Sequence, residues 1–293
     1  MKHDPAIDAQ TRLFAVFGNP VAHSLSPLMH NRAFQQVGYN GVYVAMCIKD
    51  IQAAVAAVRC LAIKGVSVTV PHKAAVMAGL DQIDPMAAEI GAVNTIVNQN
   101  GRLGGYNTDA HGAVGALKAM VDPADREIAI LGAGGAARAV GFGLAGEKGR
   151  LVIVNRTATN GKRLADKLGA DYCSPEDFWP AGGCILINTT PVGMWPHVDA
   201  LPFPVERLRP DMMVMDIIYN PLQSRLLREA ADIGCRVLNG IPMFVHQGAL
   251  QFKLWTGKQA PLAAMLEVVQ KALSRQPEQT AADLQKDPAD DRH

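Results

Sequence analysis

No stretch of the 293-residue chain approaches the roughly twenty apolar positions that a membrane-spanning helix needs, so the sequence does not read as a membrane protein. Cysteine is sparse. Cys47, Cys60, Cys173, Cys184 and Cys235 are scattered, odd in number and form no C-x-x-C pair, which suits small buried hydrophobes in a reducing compartment rather than disulfides. The eight histidines show no H-x-x-x-H spacing, so no metal site is expected. Charge of one sign is also missing: 28 basic and 27 acidic residues leave a formal charge of +1. No global field draws the chain to nucleic acid or an anionic membrane, and any recognition of anions must be local. The opening MKHDPAIDAQTRLFAVFG has no basic segment followed by a long apolar core, and a cytoplasmic protein without a secretory signal is expected.

What the chain has is apolar material, 49% of its residues, at a length that suits two compact domains. From Phe14 onward, short β-branched runs alternate with helical patterns, the signature of parallel α/β architecture. In a first unit FAVFG, VYVAMCI and GVSVTV read as strands, with helices starting near Ser26 and Asp50 and a further strand through Asn94 to Val97. A second unit runs through EIAILG, RLVIVN, CILINTT, MMVMDI and CRVLNG, a doubly wound order of elements. Helical segments after Asp109 and after Pro242 connect the two, the second returning the chain to the first unit. The polar QPEQTAADLQKDPADDRH lacks apolar periodicity and is expected to be a disordered tail.

EIAILGAGGAARAV sets a strand directly before Gly132, Ala133, Gly134, Gly135, Ala136 and Ala137, satisfying G-x-G-x-x-A. Glycines allow the tight turn and let the backbone approach a pyrophosphate at the amide-rich end of the next helix. The following strand ends in Asn155, Arg156 and Thr157, where NAD-binding proteins usually place an acid for the ribose 2′-hydroxyl. An uncharged Asn155 beside the Arg156 guanidinium suits a 2′-phosphate, so NADP is the expected cofactor.

Several polar clusters sit at strand ends in the first unit. Ser24 and Ser26 lie in HSLSP, where Ser26 also reads as an N-cap with Pro27 at the first helical position. Thr69 and Lys73 lie in VTVPHK, the proline stopping the strand. GAVNT carries Asn94, and GYNTD carries Asp109. Each could be turn chemistry alone, but together they offer hydroxyls, an amide, a lysine and a carboxylate, a set suited to a polyhydroxylated acid.

SLSP, VTVPHK, GAVNT, GYNTD, GAGGAA, NRT and NGIPMFVHQGA stand in the order found in the shikimate dehydrogenase family, and the chain resembles that family from about Phe14 to Gly257. The resemblance implies an amino-terminal α/β substrate domain, residues 1–109 completed by 242–275, and a Rossmann-like NADP domain, residues 110–241, with the active site in the cleft between them. It implies that Ser24, Ser26 and Thr69 hold the carboxylate and ring edge of shikimate or 3-dehydroshikimate, while Asn94, Asp109, Tyr219 and Gln247 contact its hydroxyls. Lys73 and Asp109 would form the catalytic pair. Gly132 to Ala136, Asn155, Arg156, Thr157, Ile217 and Gly240 would line the cofactor site. A homodimer is compatible with this reading. One residue departs from the family's pattern: Ser67 stands where asparagine is common, and a hydroxyl cannot reproduce both amide hydrogen bonds. Two alternatives stay open, a quinate or quinate/shikimate dehydrogenase and a non-catalytic dinucleotide-binding sensor of the same fold. A serine rather than a bulkier threonine at Ser26, and Asn-Arg-Thr without an acid, speak against the first; retention of Lys73 and Asp109 speaks against the second.

Overall fold

The computed structural model describes residues 7–274, so the segment 276–293 expected to be a disordered tail lies outside the described residues. In the first part of the chain β1 (Arg12–Gly18), α1 (Ser26–Val37), β2 (Gly41–Cys47), α2 (Ile51–Cys60) and β3 (Gly65–Val68) alternate as their patterns require. β1 pairs in parallel with β2 and β3. The five residues Phe14 to Gly18 are buried on both faces, which is why this strand reads as an unbroken apolar run. Val68 ends β3, and Thr69 and Val70, expected within the strand, have already left the ladder.

The next segment makes the first sheet mixed. After β4 (Gln82–Ile83) and α3 (Pro85–Ile90), strands β5 (Thr95–Gln99) and β6 (Arg102–Tyr106) form a hairpin, and β5 runs antiparallel to both β3 and β6. The cause is local: Asn100 and Gly101 both take positive φ, 54° and 93°, the two-residue turn whose twist suits an antiparallel pair. The completed sheet has the order β2-β1-β3-β5-β6-β4.

The second sheet follows α4 (Asp109–Lys118) and contains β7 (Glu127–Leu131), α5 (Gly135–Leu144), β8 (Arg150–Val154), α6 (Ala158–Leu168), β9 (Asp171–Cys173), β10 (Ile185–Asn188), β11 (Met213–Asp216), α7 (Arg225–Ile233) and β12 (Arg236–Leu238). Its pairs are parallel and its order is β12-β11-β10-β7-β8-β9. This is the doubly wound order, and the point where it reverses lies between β7 and β10, the place where such sheets bind ligands. Ile128, Ile130, Ile153, Ile185 and Ile187 are fully buried in its core. Each such side chain contributes about 1.5–3 kcal/mol relative to exposure.

Two helices carry the chain between the sheets. Ala113, Ala116 and Leu117 of α4 pack into the core of the second sheet, while Val245, Phe252 and Trp255 of α8 (Gly240–Thr256) and Met265 of α9 (Leu262–Leu273) pack with Phe14, Met29 and Phe34 of the first. α4 and α8 also touch each other closely: a Cβ at Gly112 would lie 2.8 Å from the Met243 carbonyl and 2.9 Å from Gln247 Cβ. That contact brings the end of β6 and the middle of α8 to one place.

Candidate active site

The loops that leave β1 and β3 are clasped together, Asn19 N donating to Val70 O at 3.0 Å. Thr69 rests against Gly18, where a Cβ would come within 2.4 Å of Thr69 Cγ2, so only glycine admits the threonine. Ser26 is the first residue of α1 and Leu25 its N-cap, with no side-chain capping bond, which corrects the expectation that Ser26 caps the helix. Ser24 performs part of that task instead, its Oγ accepting from Ser26 N at 3.3 Å.

Past the β3 strand end the chain turns, with His72 Nε2 donating to Ile48 O at 2.8 Å and so pinning the residue before Lys73. Lys73 Nζ then reaches Asp109 Oδ2 at 2.6 Å, with the lysine side chain about one-third exposed and the aspartate 15% exposed. Asp109 occupies the first position of α4, where a carboxylate is favoured by the helix dipole. Asn107 shapes this helix start. Its Oδ1 accepts from Asp109 N at 3.1 Å and its Nδ2 donates to Ala92 O at 3.0 Å.

Asn94 is almost fully buried and fixed at both ends of its amide. Oδ1 accepts from Thr95 Oγ1 at 2.7 Å and Thr108 N at 2.8 Å, leaving Nδ2 to donate to Asp109 Oδ1 at 2.8 Å. Gln247, from α8, meets the same cluster: Thr108 Oγ1 lies 3.5 Å from its Oε1, and its Nε2 donates to Phe244 O at 2.8 Å. The phenyl ring of Phe244 in turn stands 5.2 Å from the ring of Tyr219, whose hydroxyl is pushed above its usual pKa range by burial.

Thus Lys73, Asp109, Asn94 and Gln247 form one hydrogen-bonded group. Tyr219 joins it through packing, Ser24 and Thr69 stand on the adjoining clasped loops, and Ser26 opens α1 with its side chain on Tyr43. Reasoning from sequence missed Asn107, Thr108 and Gln251. Gln251 had a signal: it lies four residues after Gln247, one helical turn along the same face.

At the reversal point of the second sheet, Gly132 takes φ +109°, and a Cβ there would press to 3.0 Å from Thr189 Oγ1 on the neighbouring strand end. Gly134 and Gly135 are exposed, the space around Gly134 is open, and the first amides of α5 have no side-chain cap. Free donors at the positive end of a ten-residue helix suit a pyrophosphate. Arg138, one turn into α5, has a buried Nε without a partner among the described residues. Asn155 Nδ2 donates to Thr157 O at 2.9 Å and curls the segment, leaving Arg156 exposed and outside every ion pair among the described residues. At the far side Gly240 lies so close to Ile217 that a Cβ would come within 2.2 Å of its carbonyl oxygen. Among the described residues no group of histidine, cysteine or acidic side chains could hold a metal, and no helix is long and apolar enough to cross a membrane.

Comparison with known proteins points the same way. The family model of the shikimate dehydrogenase substrate binding domain matches residues 16–96, and that of the shikimate 5′-dehydrogenase C-terminal domain matches residues 240–270. The shikimate dehydrogenase (NADP(+)) of Moorella thermoacetica is 47% identical over 281 residues, covering 91% of this chain and 95% of the relative. That of Methanocaldococcus jannaschii is 42% identical over 276 residues, covering 90% and 98%. The crystal structure of shikimate 5-dehydrogenase from Thermus thermophilus in complex with NADP(H) and shikimate superposes with a TM-score of 0.85 at 40% identity, covering 90% of this chain and 100% of that one. With such identity spread over nearly the whole length, and the same motifs gathered in space, this chain belongs to the shikimate dehydrogenase family.

Proposed function

We propose that this chain is an NADP-dependent shikimate dehydrogenase that interconverts 3-dehydroshikimate and shikimate, a step in aromatic amino-acid biosynthesis. The observation that carries the reading is the Lys73–Asp109 pair, 2.6 Å apart, with a buried asparagine amide on the other carboxylate oxygen. Reduction of a ketone leaves an alkoxide that needs a proton, and the Lys73 ammonium is a donor of that proton. In the opposite direction the neutral amine takes it back. Asp109 keeps the ammonium directed into the site and has lone pairs left for a substrate hydroxyl. Asn94, Tyr219 and Gln247 supply further polar contacts to the ring hydroxyls, and Ser24, Ser26 and Thr69 meet the carboxylate and the adjacent ring edge.

The glycine turn Gly132 to Ala136, with Asn155, Arg156, Thr157, Ile217 and Gly240, is proposed to hold NADP, whose nicotinamide when bound supplies or accepts the hydride. The open turn, the uncapped amides and the unpaired Arg156 support this fit. Residues 1–109 with 242–275 are proposed as the substrate domain and 110–241 as the cofactor domain; the packing of α8 and α9 with β1 and α1 supports that division. The reading extends to a cytoplasmic homodimer that engages no nucleic acid, the near-zero net charge supporting the last point. A nicotinamide absorbance assay with shikimate and quinate, each with NADP and NAD, tests the proposal. Turnover confined to quinate with NAD would sink it, and light scattering of the purified chain tests the homodimer.

A further inference from the structure

Behind the Lys73–Asp109 pair runs a second hydrogen-bonded series that leaves the substrate site altogether. Tyr43, buried on β2, donates from its hydroxyl to Ser67 Oγ at 2.6 Å. Ser67 Oγ donates to Gln251 Oε1 at 2.9 Å. The other end of that amide, Gln251 Nε2, donates to Thr95 Oγ1 at 3.0 Å, and Thr95 Oγ1 donates to Asn94 Oδ1 at 2.7 Å. Asn94 Nδ2 then meets Asp109 Oδ1.

Every link runs in one direction. A hydroxyl has a single proton, so Thr95 can give its proton to Asn94 while receiving another from Gln251. Gln251 in turn holds its amide one way round, because its Nε2 also donates to Asn94 O at 3.3 Å, a group that only accepts, while Ser67 donates to its carbonyl. Together with Thr108 N, which donates to the same Oδ1 at 2.8 Å, Thr95 thereby holds the Asn94 amide with its NH2 toward Asp109. Turned the other way, it would place a carbonyl oxygen against a carboxylate in a buried site that screens their repulsion weakly. The series passes through Ser67, the position where the family commonly has asparagine, and Ser67 sits directly opposite Thr95 in the β3–β5 register. An asparagine there would reach toward Thr95 itself. A serine is too short, and Gln251, 2% exposed and arriving from α8, fills the interval.

We propose that Gln251 is a positioning residue that supplies the amide Ser67 does not have, locking Asn94 and through it the orientation of Asp109 beside Lys73. The inference rests on the proposed function. Gln251→Met keeps the buried volume but removes all three side-chain hydrogen bonds, to Ser67, Thr95 and the Asn94 carbonyl. It should lower kcat by about tenfold to a hundredfold, as misplaced catalytic groups do, with shikimate Kd changed by less than about threefold and the thermal melt still cooperative. Gln251→Ala should lose at least as much, and adding Ser67→Asn should restore most of the turnover by returning an amide opposite Thr95. A purely structural role would not be repaired in this way. Full turnover in Gln251→Met, or no recovery in a folded Ser67→Asn/Gln251→Ala double variant, overturns the inference. Should Gln251→Met not fold, Ser67→Ala frees the same amide and should lower turnover severalfold; unchanged turnover again overturns it. Slow exchange of the Asn94 side-chain NH2, followed by NMR without substrate, reports the locking independently of activity. It should disappear in Gln251→Met, and its retention overturns the inference even if the wild-type chain proves inactive on shikimate, the result that would sink the functional reading.

Discussion

Lys73 and Asp109, thirty-six positions apart in the chain, meet at 2.6 Å because the loop after β3 and the start of α4 close on one another beside Asn94. If Lys73 carries the proton, Lys73→Ala should cut turnover by about a hundredfold or more, with a smaller effect on shikimate dissociation. Asp109→Asn keeps the shape but not the charge and should also slow turnover. The double variant should lose far less than the product of the two single effects, since groups acting as a unit are non-additive. Near-normal turnover in Lys73→Ala would move the proton transfer elsewhere.

Arg156 is exposed beside the curled Asn155–Thr157 segment, with no carboxylate paired to it among the described residues. Arg156→Ala should weaken NADP by about 1.5–3 kcal/mol, the range for removing a charged hydrogen bond, and leave NAD almost unchanged. Titrations of both dinucleotides measure this, and equal weakening would show that Arg156 does not read the 2′-phosphate.

Gly132→Ala addresses the turn rather than the charge. A residue with a Cβ must give up φ +109° or push Thr189 aside, and either moves the backbone proposed to face the pyrophosphate. Dinucleotide affinity should fall at least about tenfold while shikimate binding to the free protein holds. Unaltered NADP affinity would argue against contact with this turn.

Ser24 has two demands on it, since its hydroxyl already accepts from Ser26 N. Ser24→Ala should raise the KM for shikimate with little change in cofactor affinity. It should also cost up to about 1 kcal/mol of stability through removal of the local bond. A drop in stability without a change in KM would leave Ser24 as a turn residue only.

His30 gives a stability signature in acid. It is fully buried, stacked on Tyr43 at 4.6 Å and against Trp255 at 5.1 Å, and among the described residues neither ring nitrogen has a partner with hydrogen-bond geometry. Burial lowers its pKa from 6.5 to about 3, outweighing the nearby Gln251, which favours the cation. The unfolded chain therefore binds the proton first as pH falls. Stability present above about pH 6.5 is lost between there and pH 3, with a limiting slope of about 1.4 kcal/mol per pH unit. Denaturant melts across that window should show the slope in the wild type and lose that part of it in His30→Phe. An equal slope in both would assign it to other groups.

Much of this protein is legible along the chain because its signals are short in range. The strands EIAILG and RLVIVN, the glycine turn between them and the acid-free Asn155–Thr157 segment declare themselves by periodicity and by the chemistry of a tight turn, and the second sheet follows in its doubly wound order. The Asn100–Gly101 hairpin is equally local but was not read from the sequence, and its two positive φ values explain why the first sheet is mixed rather than parallel.

The sequence by itself determined which groups were present: a lysine after a strand-stopping proline, an aspartate opening a helix, hydroxyls at two strand ends, and a serine at position 67. Only the tertiary structure decided how they serve one another. The Ser67 hydroxyl meets the Gln251 amide across 184 positions, and Gln251 meets Thr95 across 156. The helical spacing from Gln247 places Gln251 on the right face but names neither partner, because each pairing depends on α8 returning to the first sheet after the whole second sheet has been built. Hydrogen bonds are satisfied in space, and the direction in which Asn94 faces Asp109 follows from Thr108 N, Thr95 Oγ1 and, behind it, Gln251 Nε2, donors that the chain supplies from three separate places.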